Sequence, residues 1–212
     1  MPTMSGGGGS VGSNSVGTAQ LNLSTAVETF LDAANAAAML SALGTGTPGA
    51  TNFLRGDGSW ATAGNWIQCV ASIDGVTASG TTTIPLDDTI PQSGEGTQFY
   101  SVSITPTNSN NKLLILANLT AYPSASVNAS AALFQDATAN AIASSNPAYL
   151  GGGTWEVLHI MHTMTAGTTS ATTFKLRAGP STAATIYVNG NNSGRLFGGA
   201  CRSGILVIEV AT

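Results

Sequence analysis

The side chains that could carry acid–base or metal chemistry are few in this sequence and poorly spaced for it. His159 and His162 are the two histidines. On a β-strand, a spacing of three directs such residues to opposite faces, which argues against a shared metal. Asp87 and Asp88 are adjacent, so they suit the turn before Pro91 better than an acid/base pair. We therefore predict no metal, no cofactor and no catalytic residue, and we expect a protein that is not an enzyme.

Two short motifs match known functional signatures in residue type, but not in the structural context that those signatures need. Residues 8–12 read Gly-Gly-Ser-Val-Gly, which fits the nucleophile elbow, but that elbow needs a strand before it and a helix after it. Arg55, Gly56 and Asp57 spell the cell-attachment tripeptide inside a longer segment that explains them better. A catalytic triad whose members meet only in space stays open at this stage.

Composition excludes several classes of partner. Charged residues make up 8% of the chain, against roughly 25% in an average soluble protein. The six Lys and Arg residues are scattered and the net charge is −4, so we expect no nucleic-acid binding. The sequence contains no run of about 18 apolar residues, so we predict no membrane-spanning helix. The first residues lack a basic segment followed by an apolar one, so we expect synthesis without a signal peptide.

The two cysteines, Cys69 and Cys201, are too few for a disulfide scaffold and too far apart in sequence for a metal knuckle. We expect two buried thiols in β-strands.

The first 65 residues divide into two segments. Residues 1–22 are rich in Gly and Ser and predict an extended anchor. Residues 23–65 predict a helix and connector, because Thr25 and Glu28 fit a capping box and Gly44 fits the C′ position. The helix 25–43 carries an alanine-rich stripe that favours close packing of identical helices in a trimeric stalk, although packing on the chain's own C-terminal domain is the alternative. The stripe residues are Val27, Phe30, Leu31, Ala34 and Ala38.

From residue 66 onward, short β-branched and aliphatic runs alternate with Gly, Pro, Asn and Ser. This pattern predicts a mainly β chain whose residues 66–212 form an antiparallel β-sandwich of jelly-roll type. The predicted strands are Trp66–Ala71, Thr81–Leu86, Gln98–Thr105, Lys112–Ala121, Ala131–Gln135, Trp155–Thr165, Ala171–Ala178, Thr185–Val188 and Gly204–Val210.

Two of these runs, Leu113–Ala117 and Ile205–Ile208, are apolar on both faces. A small sandwich has one interior, so a second apolar face predicts a second contact surface. Other subunits or a covering loop of the same chain could supply it, and we favour other subunits.

Two stretches resemble tail-fibre and related appendage proteins of tailed bacteriophages. The first is the Ala-rich helix ending in Leu43-Gly44, followed by a connector reading FLRGDGSW from Phe53 to Trp60, with Arg55 and Asp57 between its aromatic anchors. The second stretch resembles a trimeric β-domain of the tumour-necrosis-factor or head-fibre type. It carries the segments Ile104–Thr107, Lys112–Ile115, Ala132–Asp136, Ala166–Thr169 and Ile208–Val210.

The resemblance implies a homotrimeric virion appendage that attaches to other virion proteins through residues 1–22 and contacts the host surface. A capsid decoration or head-fibre protein is the alternative, and a glycan depolymerase is a weaker one because paired carboxylates are missing. If the head binds a host glycan or receptor, aromatic faces and amides would do so. The candidates are Tyr122, Trp155, Asn189, Asn191 and Asn192.

Overall fold

The computed structural model describes residues 52–54, 56, 58–62, 65–146 and 153–212. The predicted anchor, the helix 25–43 with its stripe, and the connector residues Arg55 and Asp57 lie outside the described residues, as do the side chains of Phe53 and Trp60. The chain divides into two compact units, residues 1–64 and 65–212. In the first unit, β1 (Asn52–Leu54) pairs antiparallel with β2 (Trp60–Thr62), so the connector turns back on itself as a hairpin.

The second unit is built from β-strands. A six-stranded sheet has the order β3-β14-β6-β11-β4, with β9 pairing on the other edge of β6, and a four-stranded sheet has the order β5-β10-β7-β8. In chain order the strands are β3 (Trp66–Asp74), β4 (Ala78–Gly80), β5 (Thr97–Ile104), β6 (Lys112–Pro123), β7 (Ala129–Gln135), β8 (Ala143–Ser145), β9 (Glu156–Thr165), β10 (Thr172–Pro180), β11 (Ile186–Val188), β12 (Gly190–Asn191), β13 (Gly194–Arg195) and β14 (Ser203–Val210).

The strand pairs are nested, which is the signature of a jelly roll. β3 pairs with β14, β5 with β10, β6 with β9 and β7 with β8, and every pair is antiparallel. The chain is therefore folded like one long hairpin rolled into two sheets. The prediction of a mainly β chain with an antiparallel jelly-roll sandwich is confirmed.

The core lies between the two sheets and follows the period-2 pattern of the strands. Alternate residues of β6 such as Leu113 and Ile115 are fully buried, and they pack with Phe174 and Leu176 of β10. One face of β10 is buried from Thr172 to Ala178, because alternate residues of a strand point to the same side of the sheet. In the described part of the chain, no helix is long and apolar enough to cross a membrane.

Two local predictions are wrong. Thr81–Leu86 is not a strand: Ile84 N–H donates to the carbonyl of Pro180, and Thr83 accepts from Gly96 N–H, but Pro85 has no N–H with which to continue a ladder. The cysteines are not both buried in strands, because Cys69 is exposed in β3 and Cys201 is half-buried between strands.

Candidate functional site

The outward-facing side of the six-stranded sheet is unusually apolar. Strand register places Met161 of β9, Leu116 of β6 and Leu206 of β14 in one row, because residues paired across antiparallel strands share a face. The next rows add Leu114 from β6 and Ile73 from β3. We call the surface formed by Ile73, Leu114, Leu116, Met161 and Leu206 the outer apolar face.

Much of this surface is open to solvent. Met161 is 77% exposed and Ile73 is 47% exposed. A shallow groove of about 400 Å³ runs across the face, and its lining is mainly apolar, with Asn118 and His159 as polar members. Exposed contiguous apolar surface of this kind is typical of protein–protein contacts. The two runs predicted to be apolar on both faces, in β6 and β14, supply the centre of this surface.

The two histidines lie on opposite faces of β9, as their spacing predicts. His159 pairs with Asn118 on the outer side, whereas His162 pairs with the buried Ile115 on the core side. Among the described residues, no group of three or more His, Cys, Asp or Glu is arranged to hold a metal ion.

Two of the predicted glycan-contact residues, Tyr122 and Trp155, lie together. Their ring centroids are 5.1 Å apart, and Tyr187, which sequence reasoning missed, lies 6.4 Å from Tyr122. Tyr187 and Tyr122 are cross-strand partners in β11 and β6. All three side chains are half-buried, so this aromatic cluster offers partly exposed ring faces that could pack on a sugar.

A buried carboxyl group follows the aromatic cluster along the chain. Glu156 is 3% exposed, and neither of its oxygens has a hydrogen-bonding partner among the described residues. Burial raises the pKa of this carboxyl, and the nearby backbone N–H of Ala129 opposes that shift only in part. A buried acid without a charged partner favours its protonated form.

The predicted asparagines separate into two roles. Asn189 is fully buried, and its amide nitrogen donates to the carbonyls of Asp74 and Val76 and to the hydroxyl of Tyr100. Its Oδ1 accepts from the Ser203 hydroxyl at 2.6 Å. Asn189 therefore fastens three chain segments together instead of facing a ligand.

Asn191 and Asn192 lie on the surface hairpin β12–β13. The backbone N–H of Ser193 donates to Asn191 Oδ1, which holds the turn. Asn192 is exposed at that turn. The aromatic cluster therefore consists of Tyr122, Trp155 and Tyr187, and Asn189 belongs to the interior.

The hydroxyl of Tyr100 belongs to the same buried network as Asn189. It donates to Asp74 Oδ1 at 3.1 Å, and Asp74 Oδ1 also accepts from the backbone N–H of Val76. Burial, together with the neighbouring Asp74 carboxylate, raises the pKa of Tyr100 to about 12. The phenol therefore stays a hydrogen-bond donor over the whole physiological range.

A second buried carboxyl group, Glu209 of β14, is fully paired. Its oxygens accept from Gln68 Nε2 and Asn111 Nδ2, each at 2.6 Å, and from both the backbone N–H and the hydroxyl of Thr107 at 2.8 Å. Burial opposes ionisation, but the bonds from Gln68, Asn111 and Thr107 outweigh it and lower the pKa to about 2. The role of this carboxylate is structural, because it is fully buried and both of its oxygens accept hydrogen bonds from the protein itself.

Comparison with known proteins identifies the second unit. The sequence profile described as the Pgp3 C-terminal domain matches residues 66–212, which is more than half of the chain. The chain belongs to the Pgp3 C-terminal domain family. No curated protein sequence matches it.

Among solved structures, the Pgp3-type domain is similar to several β proteins at low identity. Eiger TNF from S. frugiperda shares 8% identity with a TM-score of 0.40, over 68% of this chain and 93% of that one. A structure of infectious bursal disease virus, Gx strain, shares 12% identity with a TM-score of 0.38, over 72% of this chain and 34% of that one. The tailspike protein 4 enzymatically active domain of bacteriophage CBA120 shares 14% identity with a TM-score of 0.26, over 58% of this chain and 18% of that one.

The Pgp3 family match covers the jelly-roll unit and leaves residues 1–65 unmatched. This family match gives no indication of a phage particle.

Proposed function

We propose that the chain is a non-enzymatic, homotrimeric structural protein of a tailed-bacteriophage particle, a tail fibre or fibre-like appendage that contacts the host surface. The observation that carries the proposal is the outer apolar face. Three copies packed through this face would remove Met161, Leu206 and Ile73 from water, at roughly 25 cal/mol per Å² of apolar surface buried. The phage assignment itself is supported by the FLRGDGSW connector at Phe53–Trp60.

In this proposal each part of the chain has one task. Residues 1–22 attach the protein to other virion proteins, and residues 23–65 form the three-fold stalk and its connector. The jelly-roll unit forms the head, whose aromatic cluster at Tyr122 and Trp155 contacts host glycans. Catalysis is not part of the proposal, because the two carboxyl groups that are buried in the described part of the chain, Glu156 and Glu209, lie on different strands.

Self-association is tested by light scattering on the full chain. We expect a mass three times the 21.2 kDa of one chain, and we expect Met161→Glu to lower it to one chain because a charge then enters an apolar contact. Ser101→Glu is the matched control, since Ser101 is exposed on β5 of the other sheet. A monomeric wild-type protein at micromolar concentration would overturn the trimer.

The place on the particle is tested by microscopy. Antibodies raised against the purified protein should label the tail of particles made by the phage that encodes it. Labelling of the capsid instead would assign the decoration or head-fibre role, and absence of any label would refute a virion protein.

A further inference from the structure

A second surface cavity, distinct from the outer apolar face and the aromatic cluster, gathers positive charge. It measures about 440 Å³ and is lined by Gly75, Val76, Thr77, Arg195, Gly198, Gly199 and Arg202. The chain has six Lys and Arg residues, and two of them line this cavity. Both arginines are exposed, and no described carboxylate pairs with either guanidinium group.

The walls of the cavity are held in place from inside. Asn189 binds the carbonyls of Asp74 and Val76 on one wall and the hydroxyl of Ser203, next to Arg202, on another. Gly75 packs closely against Gly199, so that a Cβ on Gly75 would overlap the Gly199 carbonyl oxygen. The backbone of the site is therefore fixed before any ligand arrives, which reduces the entropy cost of binding.

One oxygen of the carboxylate nearest along the chain to Gly75 is already hydrogen-bonded. Asp74 Oδ1 accepts from Tyr100 and from the backbone N–H of Val76, and Asp74 does not line the cavity. Because no described carboxylate lines the cavity, the guanidinium groups of Arg195 and Arg202 are available to an external anion.

An exposed aromatic residue is adjacent along the chain to the cavity lining. Phe197 precedes Gly198 along the chain, and it is 81% exposed. Its backbone φ is +46°, a conformation that is strained for a bulky residue. Strained backbone is concentrated at ligand-contact sites. Phe197 does not itself line the cavity, but it is adjacent along the chain to the lining residue Gly198. Its exposed ring offers a surface for a sugar ring, and the two arginines offer partners for the charge of that sugar.

We propose that this cavity binds an acidic monosaccharide unit of a surface polysaccharide, with Arg195 and Arg202 on its oxyanion and Phe197 against its ring. The volume exceeds what an isolated phosphate ion needs and lies within the ~300–1,000 Å³ range of small-molecule pockets. Guanidinium groups bind carboxylate and phosphate with the same paired geometry, so the charge comes from a uronic acid or a sugar phosphate. The polysaccharide origin of the ligand rests on the attachment role proposed above, whereas the site itself does not.

Calorimetric titration of the full chain at low salt tests the site with three probes: glucuronic acid, glucose 1-phosphate and neutral glucose. We expect at least one acidic probe to bind ten or more times better than glucose, and the probe that binds identifies the carboxylate or the phosphate source. The double variant Arg195→Gln/Arg202→Gln should lose at least tenfold in affinity. Phe197→Ala should weaken binding of the sugar acid without weakening binding of inorganic phosphate.

Lys112→Gln is the control, because it removes one exposed positive charge from β6 outside this cavity. Equal binding of all three probes, or a double variant that binds like the wild type, would overturn the proposal. Light scattering on the same samples separates this result from the assembly state. A monomer that still binds the acidic probe would refute the trimer and keep the site.

Discussion

Glu209 should make the folded protein lose stability in acid, and one substitution should remove most of that dependence. The folded-state pKa is about 2, against about 4.5 for an ordinary glutamate in the unfolded chain. A depressed carboxyl pKa contributes stability above the unfolded value and loses it as pH falls toward the folded value. At about 1.4 kcal/mol per pKa unit, Glu209 contributes roughly 3 kcal/mol at pH 7 and between about 1 and 2 kcal/mol at pH 3.

Urea unfolding followed by circular dichroism at pH 7, 5 and 3 measures this loss. Glu209→Gln should lower the free energy of unfolding at pH 7 by about 2–4 kcal/mol, because its amide nitrogen faces the Gln68 donor. The variant should also show a smaller difference between pH 7 and pH 3 than the wild type. Glu95→Gln is the matched control, since Glu95 accepts one backbone hydrogen bond, from Gln92, in a surface loop. Parallel pH profiles for the wild type and Glu209→Gln would refute the reasoning.

Three further substitutions test other parts of the same unit. Glu156→Gln should raise the melting temperature at pH 7, and the gain should shrink as pH falls. The reason is that a glutamate whose pKa is raised in the folded state destabilises the protein as pH rises. An unchanged melting temperature would mean that a partner already pairs with the carboxylate. Gly75→Ala should destabilise the protein by 1 kcal/mol or more, since its Cβ would overlap the Gly199 carbonyl; a neutral result by urea unfolding would contradict that packing. Tyr100→Phe should lower the free energy of unfolding by about 1–2 kcal/mol, because Asp74 and Asn189 lose the Tyr100 hydroxyl as a hydrogen-bonding partner. An unchanged free energy of unfolding would show that a water molecule replaces the hydroxyl.

The fold was largely predictable because local pattern decides it. The alternation from Thr172 to Ala178 predicts one buried face, and the runs in β6 and β14 predict apolar residues on both. Thr81–Leu86 misleads for the same reason: it is β-branched and apolar, but its pairing ends after the backbone bonds of Thr83 and Ile84, because Pro85 has no N–H.

The sites were less predictable because their members meet only in the folded chain. Asparagine is a residue type that is common in turns, but the side-chain amide of Asn189 donates hydrogen bonds to carbonyls more than 110 residues away. Glu209 stands in an apolar strand, and its partners Gln68, Thr107 and Asn111 come from distant positions. The sequence around Arg195 and Arg202 shows no motif, and only the folded chain brings the two residues to one cavity.

The nested strand pairing of the jelly roll places both ends of the domain at one pole, so a protein fused to the C-terminus would leave the loops at the other pole free. Trp66 at the start of β3 pairs with Val210 near the end of β14, while Asp74 pairs with Ser203 at the far end of the same two strands. Both ends of the domain therefore emerge side by side, at the opposite pole from the loops that carry Gly75 and Arg202. A fluorescent protein or an affinity tag joined after Thr212 should leave the distal loops unobstructed, so the unit can be displayed or immobilised in one defined orientation.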